Sequence, residues 1–285
     1  MEIIIAEESG LCYGVKRALT MARRTRRVKS GKVVTLGDLI HNPRVVANLA
    51  AEGIESAEEP DEVRQGTVII RSHGVSPEIY RRLRRRKIDV VDATCPIVRK
   101  IQRLVEALAR KGREVVIVGD RNHPETRGLL GHSRGKGVVV EDEAQARALP
   151  SRKARAVLAQ STHDLGSFRR VAAALVEKTR ELTVYNTICD STLTRQRSTS
   201  DLAGRVDTLF IIGGRTSSNT TRLYEMSKRI QPRTFFIENA TQITPAMLRG
   251  AKTIGISGGA STPPEAVQEA VDAIERSFQQ NPARE

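Results

Sequence analysis

Short β-branched runs that end in polar, glycine-bearing exits and pass straight into amphipathic helices recur along the whole chain, and few folds accept that pattern. The strands are predicted at residues 3–6, 32–36, 67–70, 90–95, 114–118, 138–140, 156–158, 182–185, 208–212, 234–237 and 253–256. Between them the apolar spacing changes to that of helices: over 97–111 the apolar residues are Ile97, Ile101, Leu104, Val105 and Leu108, the i, i+3, i+4 stripe of a core-facing helix. Other helices are expected over 15–28, around Val45, Val46 and Leu49, after Pro77, over 167–180, after Thr192, around Leu223 and Met226, and around Val267, Val271 and Ile274. Strands alternating with helices predict an α/β fold with mainly parallel sheets.

Cys12, Cys95 and Cys189 fall at roughly equal intervals, each between a strand and a helix start. Pro96 directly behind Cys95 puts that cysteine at a helix N-cap, where free N–H groups and the helix dipole favour a thiolate. Polar strand exits fall two to each interval: His41 and His73, then His123 and Ser161-Thr162, then Ser217-Ser218-Asn219 and the pair Ser257 and Ser261. This is a threefold internal plan, and ligands of open α/β sheets bind at the carboxyl ends of the strands. Three α/β units are expected, 1–95, 96–189 and 190–280, with a short tail at 281–285. The N-terminal strand is a candidate to join the third unit.

The balance of 47 Lys+Arg against 33 Asp+Glu gives a formal charge of +14, much of it in Arg23-Arg24-Thr25-Arg26-Arg27 and in the run 81–87. Such a field suits an anionic substrate, an acidic protein or nucleic acid, while the plainer reading is two solvated helix faces. Aromatic residues make up 3% and Trp is absent, which leaves little for base stacking and argues against nucleic acid. The four apolar residues before Glu7 and Glu8 are too short for a signal peptide. No apolar run approaches the ~20 residues of a membrane span, so a cytoplasmic protein away from membranes is expected. Three distant cysteines make no disulfide framework, and metal binding or catalysis competes with burial as their explanation.

Structural zinc is disfavoured, because no close cysteine pair is present. Three single thiolates suit an Fe–S cluster short of its usual four, leaving one iron open as a Lewis acid. On spacing alone, three unrelated buried cysteines remain an open alternative. His41, His73, Ser217, Asn219 and Ser261 lie at or just before helix starts, the makings of a phosphate cradle. His123-Pro124-Glu125 offers an imidazole and a carboxyl on a loop, suited to proton delivery.

Read together, Gly10-Leu11-Cys12-Tyr13-Gly14-Val15, Ile40-His41-Asn42, Ser72-His73-Gly74-Val75-Ser76-Pro77, Asp92-Ala93-Thr94-Cys95-Pro96, His123-Pro124-Glu125, Thr187-Ile188-Cys189, Ser217-Ser218-Asn219 and Gly259-Ala260-Ser261 resemble the LytB family of 4-hydroxy-3-methylbut-2-enyl diphosphate reductases. The stretches run in the family's order over nearly the whole chain. The resemblance implies a trefoil of three pseudo-threefold-related α/β units around a [4Fe–4S] cluster held by Cys12, Cys95 and Cys189, with one iron open for the substrate hydroxyl. It implies reductive dehydroxylation of the allylic diphosphate to isopentenyl and dimethylallyl diphosphates, the last step of the non-mevalonate isoprenoid pathway. On that reading Glu125, with His123, Ser161 and Thr162, relays protons, and His41, His73, His123, Ser217, Ser218, Asn219 and Ser261 bind the substrate. The electron donor it implies is ferredoxin or flavodoxin; monomer and homodimer both stay open. The chain departs from the family at Tyr13, which puts bulk beside a cluster ligand, at Ser161 in place of threonine, and at Leu193, where an amide is usual. Those departures keep open a divergent paralogue, beside a quinolinate-synthase-type lyase, a cluster-bearing sensor and a basic RNA-binding protein.

Overall fold

The computed structural model describes residues 1–279, and among them every strand pairing is parallel. The chain opens with β1 (Glu2–Ile5) and α1 (Tyr13–Val28), then β2 (Val33–Leu36), α2 (Pro43–Ala51), β3 (Ile54–Ala57), β4 (Thr67–Ile70), α3 (Pro77–Arg85) and β5 (Asp89–Asp92). Next come α4 (Pro96–Arg110), β6 (Glu114–Val118), α5 (Pro124–His132), β7 (Gly137–Val140), α6 (Glu143–Ala148), β8 (Arg152–Ala159), α7 (Leu165–Val176) and β9 (Thr179–Tyr185). The last stretch holds α8 (Asp190–Ala203), β10 (Thr208–Ile212), α9 (Ser218–Ile230), β11 (Thr234–Ile237), α10 (Pro245–Leu248), β12 (Thr253–Gly258) and α11 (Pro264–Gln279). The tail expected at 281–285 lies outside the described residues.

These strands form three four-stranded parallel sheets, so the α/β expectation holds. Two sheets share one order, β3-β2-β4-β5 and β7-β6-β8-β9; the remaining sheet, β11-β10-β12-β1, repeats it with the chain's first strand in the fourth place. There Ile3 registers with Ile254 and Ile5 with Ile256. The described residues divide into two compact units: one holds Met1–Tyr13, His41–Val45 and the described residues from Asp190 onward, the other Gly14–Ile40 and Val46–Cys189.

The inner strands are apolar without alternation because both faces of a parallel sheet are covered. In the first unit Phe210, Ile212, Ile254 and Ile256 pack with Val267, Ala270 and Ile274 of α11, while Leu209 and Ile211 on the other face meet Leu202 and Leu223. In the second unit Val34, Leu36, Val68 and Ile70 gather with Leu83 of α3, and Val115, Ile117 and Leu158 with Ile101, Val105 and Leu108 of α4. Each such side chain contributes roughly 1.5–3 kcal/mol of burial.

The structure corrects several sequence boundaries. The helix expected over 167–180 stops at Val176, and β9 begins at Thr179. Thr179-Arg180-Glu181 reads as polar because β9 is an edge strand, paired only with β8, and Arg180 and Glu181 are exposed. β3 went unpredicted for the same reason, its central Glu55 and Ser56 facing solvent on an edge. Glu125, expected on a loop, sits in the first turn of α5. Of the basic runs, Arg81 pairs with Glu78, Arg82 with Glu59 and Asp61, and Arg86 with Asp61, while Arg84, Arg85 and Lys87 form no ion pair among the described residues, so the 81–87 run is half matched. Exposed pairs of this kind are worth ~0–1 kcal/mol each.

One loop design recurs at the carboxyl end of every sheet. The glycine after β2, β6 and β10 donates its N–H to the last residue of the neighbouring edge strand, β3, β7 and β11 in turn: Gly37 to Ala57 O at 2.7 Å, Gly119 to Val140 O at 3.1 Å and Gly213 to Ile237 O at 3.0 Å. Gly213 cannot be replaced cheaply, since its φ is +152° and a Cβ there would stand 2.7 Å from the hydroxyls of both Thr220 and Thr262.

Candidate active site

The three cysteines occupy equivalent positions, each directly before a helix: Cys12 before α1, Cys95 before α4 and Cys189 before α8. Each N–H is tied to the exit of the neighbouring strand, Cys12 to Ala260 O at 3.0 Å, Cys95 to Ser72 O at 2.9 Å and Cys189 to Ser161 O at 2.9 Å. None is in a disulfide, all are half-buried, and each is positioned by its main chain. Two of the loops are set by the same turn, in which Asp92 Oδ1 accepts the Thr94 N–H at 2.9 Å and Asn186 Oδ1 accepts the Ile188 N–H at 3.3 Å.

Arginines brace two of these loops. The Arg17 guanidinium donates to Thr94 O at 3.2 Å and Ala93 O at 3.5 Å. Arg195, only 2% exposed, donates to Gly258 O at 2.8 Å and to Glu8 O, while Ser9 Oγ accepts the Gly258 N–H at 2.8 Å. Burial opposes ionisation of Asp92, yet hydrogen bonds from Arg99, Thr94 and Tyr80 outweigh it and hold the carboxyl below its ordinary value. Burial, and then the bond to Asp92, push Tyr80 up to about 12. The roles of Arg17, Asp92 and Arg195 are not legible in the sequence, because a long arginine side chain gives no local signal of its target. Only the Asp-x-Thr-Cys spacing of an Asx turn was there to be read.

A proton-bearing cluster lies at the ends of β6 and β8. His123 caps α5, its Nδ1 accepting the Glu125 N–H at 3.1 Å, which leaves the proton of the neutral ring on Nε2. Pro124 then starts the helix and carries Glu125 inward to 1% exposure. Glu125 Oε1 accepts the Ser161 N–H at 2.6 Å and Oε2 the Ser161 hydroxyl at 2.7 Å. Burial pushes the carboxyl above its ordinary value; the two Ser161 bonds only partly offset it, so Glu125 retains its proton further up the pH scale than an exposed glutamate. The His73 ring meets His123 edge-on at 5.3 Å. Gln160 Nε2 donates to Thr162 Oγ1 at 2.9 Å and thereby orients that hydroxyl. A Cβ on Gly119 would lie 2.7 Å from Gln160 Oε1, so glycine is needed for this close approach.

A cluster of uncharged polar side chains lies in the other unit. Ser217 caps α9, its hydroxyl accepting the Thr220 hydroxyl at 3.0 Å and lying 3.5 Å from Ser261 Oγ. Ser261 Oγ donates to His41 O at 3.0 Å, and Asn42 Nδ2 donates to Ser261 O at 2.9 Å. Ser218 is the half-buried first residue of α9. Asn219, one residue on, is 3% exposed, and neither amide atom has a hydrogen-bond partner among the described residues. A buried amide left so costs about 1–3 kcal/mol, a penalty that a bound polar ligand at the α9 N-terminus would relieve. Tyr13 points its ring to solvent at 71% exposure, and Leu193 is half-buried on α8. No helix among the described residues is long and apolar enough to cross a membrane.

A sequence model of the family described as LytB protein matches residues 3–275. The 4-hydroxy-3-methylbut-2-enyl diphosphate reductase of Geobacter metallireducens is 42% identical over 274 residues, spanning 96% of this chain and 97% of that protein. The enzyme of the same name from Aquifex aeolicus is 42% identical over 96% of each chain. Among solved structures, an (E)-4-hydroxy-3-methyl-but-2-enyl diphosphate reductase titled the terminal enzyme of the non-mevalonate pathway is 41% identical, with a TM-score of 0.69 over 97% of this chain and all of that one. A reductase from Plasmodium falciparum, 23% identical, shares the fold with a TM-score of 0.91 over 95% of this chain and 87% of its own. With the cysteine loops, the buried glutamate and the serine–asparagine cluster all in the matched span, the chain belongs to the LytB family.

Proposed function

We propose that this protein is a 4-hydroxy-3-methylbut-2-enyl diphosphate reductase that forms isopentenyl and dimethylallyl diphosphates, closing the non-mevalonate isoprenoid pathway. Support comes from family membership and from relatives of that name over nearly the whole chain. The observation that carries the reading to this chain is Asn219, a buried amide without a protein partner beside the serine hydroxyls of a helix start.

The cysteines suit a resident [4Fe–4S] cluster, since each precedes a helix with its N–H anchored to a strand exit in the same way and none is spent in a disulfide. Cys12, Cys95 and Cys189 would hold it, and bound there it supplies the reducing electrons and an open iron for the substrate hydroxyl. The chain's own residues do the rest. Ser217, Ser218, Asn219 and Ser261, with His41 and His73, bind the diphosphate and fix the allyl chain. The overall change takes in two electrons and two protons: the C–O bond at C4 breaks, a C–H bond forms, and the hydroxyl leaves as water. Glu125 is the proton donor, with Ser161 holding its carboxyl and with Thr162 and His123 passing protons to it. Ferredoxin or flavodoxin supplies the electrons, and three cysteines outside any disulfide suit a reducing cytoplasm.

The test is turnover by anaerobically reconstituted protein given reduced methyl viologen and the hydroxylated diphosphate. Both products are expected, one water lost per two electrons consumed. A fully loaded protein that leaves the substrate unchanged refutes the assignment.

A further inference from the structure

An open cleft of about 470 Å³ lies beside the Cys95 loop, lined by Arg17, Asp92, Pro96, Arg99, Lys100 and Arg103 among others. Its wall is the solvent side of α4. Val98, Ile101 and Val105 turn to the core, and Pro96, Lys100 and Arg103 are exposed. Four cations thus face one carboxylate, and that carboxylate is already answered by Arg99, by the Tyr80 hydroxyl at 2.5 Å and by the Thr94 N–H. Arg17 donates only to main-chain carbonyls, and Lys100 and Arg103 form no ion pair among the described residues. In the 81–87 run Glu78, Glu59 and Asp61 answer Arg81, Arg82 and Arg86, while Arg84, Arg85 and Lys87 form no ion pair among the described residues, but that run adjoins no cysteine in the chain. Uncompensated positive charge therefore gathers beside a cysteine loop. Ile97, 40% exposed on the same helix turn, adds an apolar spot for a partner already drawn in.

We propose that this α4 face is the docking surface for a small acidic protein that carries electrons one at a time, delivering them on the Cys95 side. The assignment rests on the reductase reading, in which Cys95 ligates the cluster. Two carriers, each oxidised by one electron, balance the loss of one hydroxyl as water, with both protons drawn from the chain and solvent. Opposite charge steers such encounters and raises their rate by roughly 10–10³ at low ionic strength. Nucleic acid fits the face less well, since no aromatic side chain lines the cleft and stacking has nothing to use.

The test uses Lys100→Glu and Arg103→Glu, singly and together, in the cluster-loaded protein. Two readouts are independent of substrate turnover: calorimetric affinity for oxidised bacterial ferredoxin, and the second-order rate at which reduced ferredoxin reduces the protein. The double variant should lose about tenfold or more in both at low salt, and the gap should close as salt screens the surface. Reduction by methyl viologen, a small dication that a basic face does not attract, should not fall. Unchanged ferredoxin affinity and rate, or an equal fall with viologen, overturns the proposal. So does binding of a mixed-sequence RNA that the variants lose while ferredoxin binding stays intact. Failure of the reductase reading shows separately, as absent dehydroxylation by protein that ferredoxin still reduces.

Discussion

Replacing Glu125 by Gln separates proton delivery from everything else this residue does. Its carboxylate accepts the Ser161 N–H at 2.6 Å and the Ser161 hydroxyl at 2.7 Å. A glutamine keeps both contacts, its Oε1 accepting the N–H and its amide donating to the hydroxyl, whose proton turns away. Fold, cluster content and substrate affinity should persist. What disappears is the acid, and a positioned general acid contributes about 10²–10⁴-fold. At about 1.4 kcal/mol per decade this is roughly 3–5 kcal/mol of barrier. The assay is kcat with reduced methyl viologen, beside iron content and substrate Kd. Turnover within about threefold of wild type refutes the role given to Glu125. A stability measurement checks the same physics. Burial raises the folded-state pKa of Glu125 above its ordinary 4.5, so its stabilising contribution is complete below that value and is lost as pH rises through the folded pKa. Glutamine has no such titration, so the Tm of the variant should gain on wild type as pH climbs.

The remaining expectations concern the serine–asparagine cluster and the braces. Asn219→Ala removes a buried amide without a protein partner. Thermal stability without ligand should hold or rise by about 1 kcal/mol, while KM for the diphosphate rises about 10–100-fold; an unchanged KM removes Asn219 from binding. Arg195→Met keeps the volume of a 2%-exposed side chain but leaves the Gly258 and Glu8 carbonyls without their donor. A loss of about 2–4 kcal/mol in urea unfolding is expected, and a change under about 0.5 kcal/mol shows that the brace does not stabilise the fold.

Much of the architecture was legible because one physical rule repeats. A buried parallel strand must be apolar throughout, and the residue leaving it must turn or cap, so Val-Val-Ile-Val followed by Gly119-Asp120 announces both. The rule fails at edges, which is why Ile54–Ala57 was missed and why β9 began earlier than its polar start suggested. The helix start at Asp142 carried a usable signal, Gln145 three residues on, and its Oδ1 does accept the Gln145 N–H at 2.8 Å. The polar residues singled out by type lie at strand exits or helix starts, except Ser257, which is buried inside β12 against Thr199. The supporting contacts were not legible: Arg17 and Arg195 reach main-chain carbonyls 76 and 63 residues away, and nothing local encodes that. Tyr13 runs the other way, its apparent intrusion beside Cys12 resolved by a ring that faces solvent.

The most direct test of the account is iron and sulfide analysis, with EPR of the reduced state, on anaerobically reconstituted wild type and on Cys12→Ser, Cys95→Ser and Cys189→Ser. The three equivalent anchors predict about four irons per wild-type chain and a large loss in each variant, with helix content retained by circular dichroism. A folded wild type that stays colourless and iron-free, or a single cysteine variant that keeps the full complement, would contradict it.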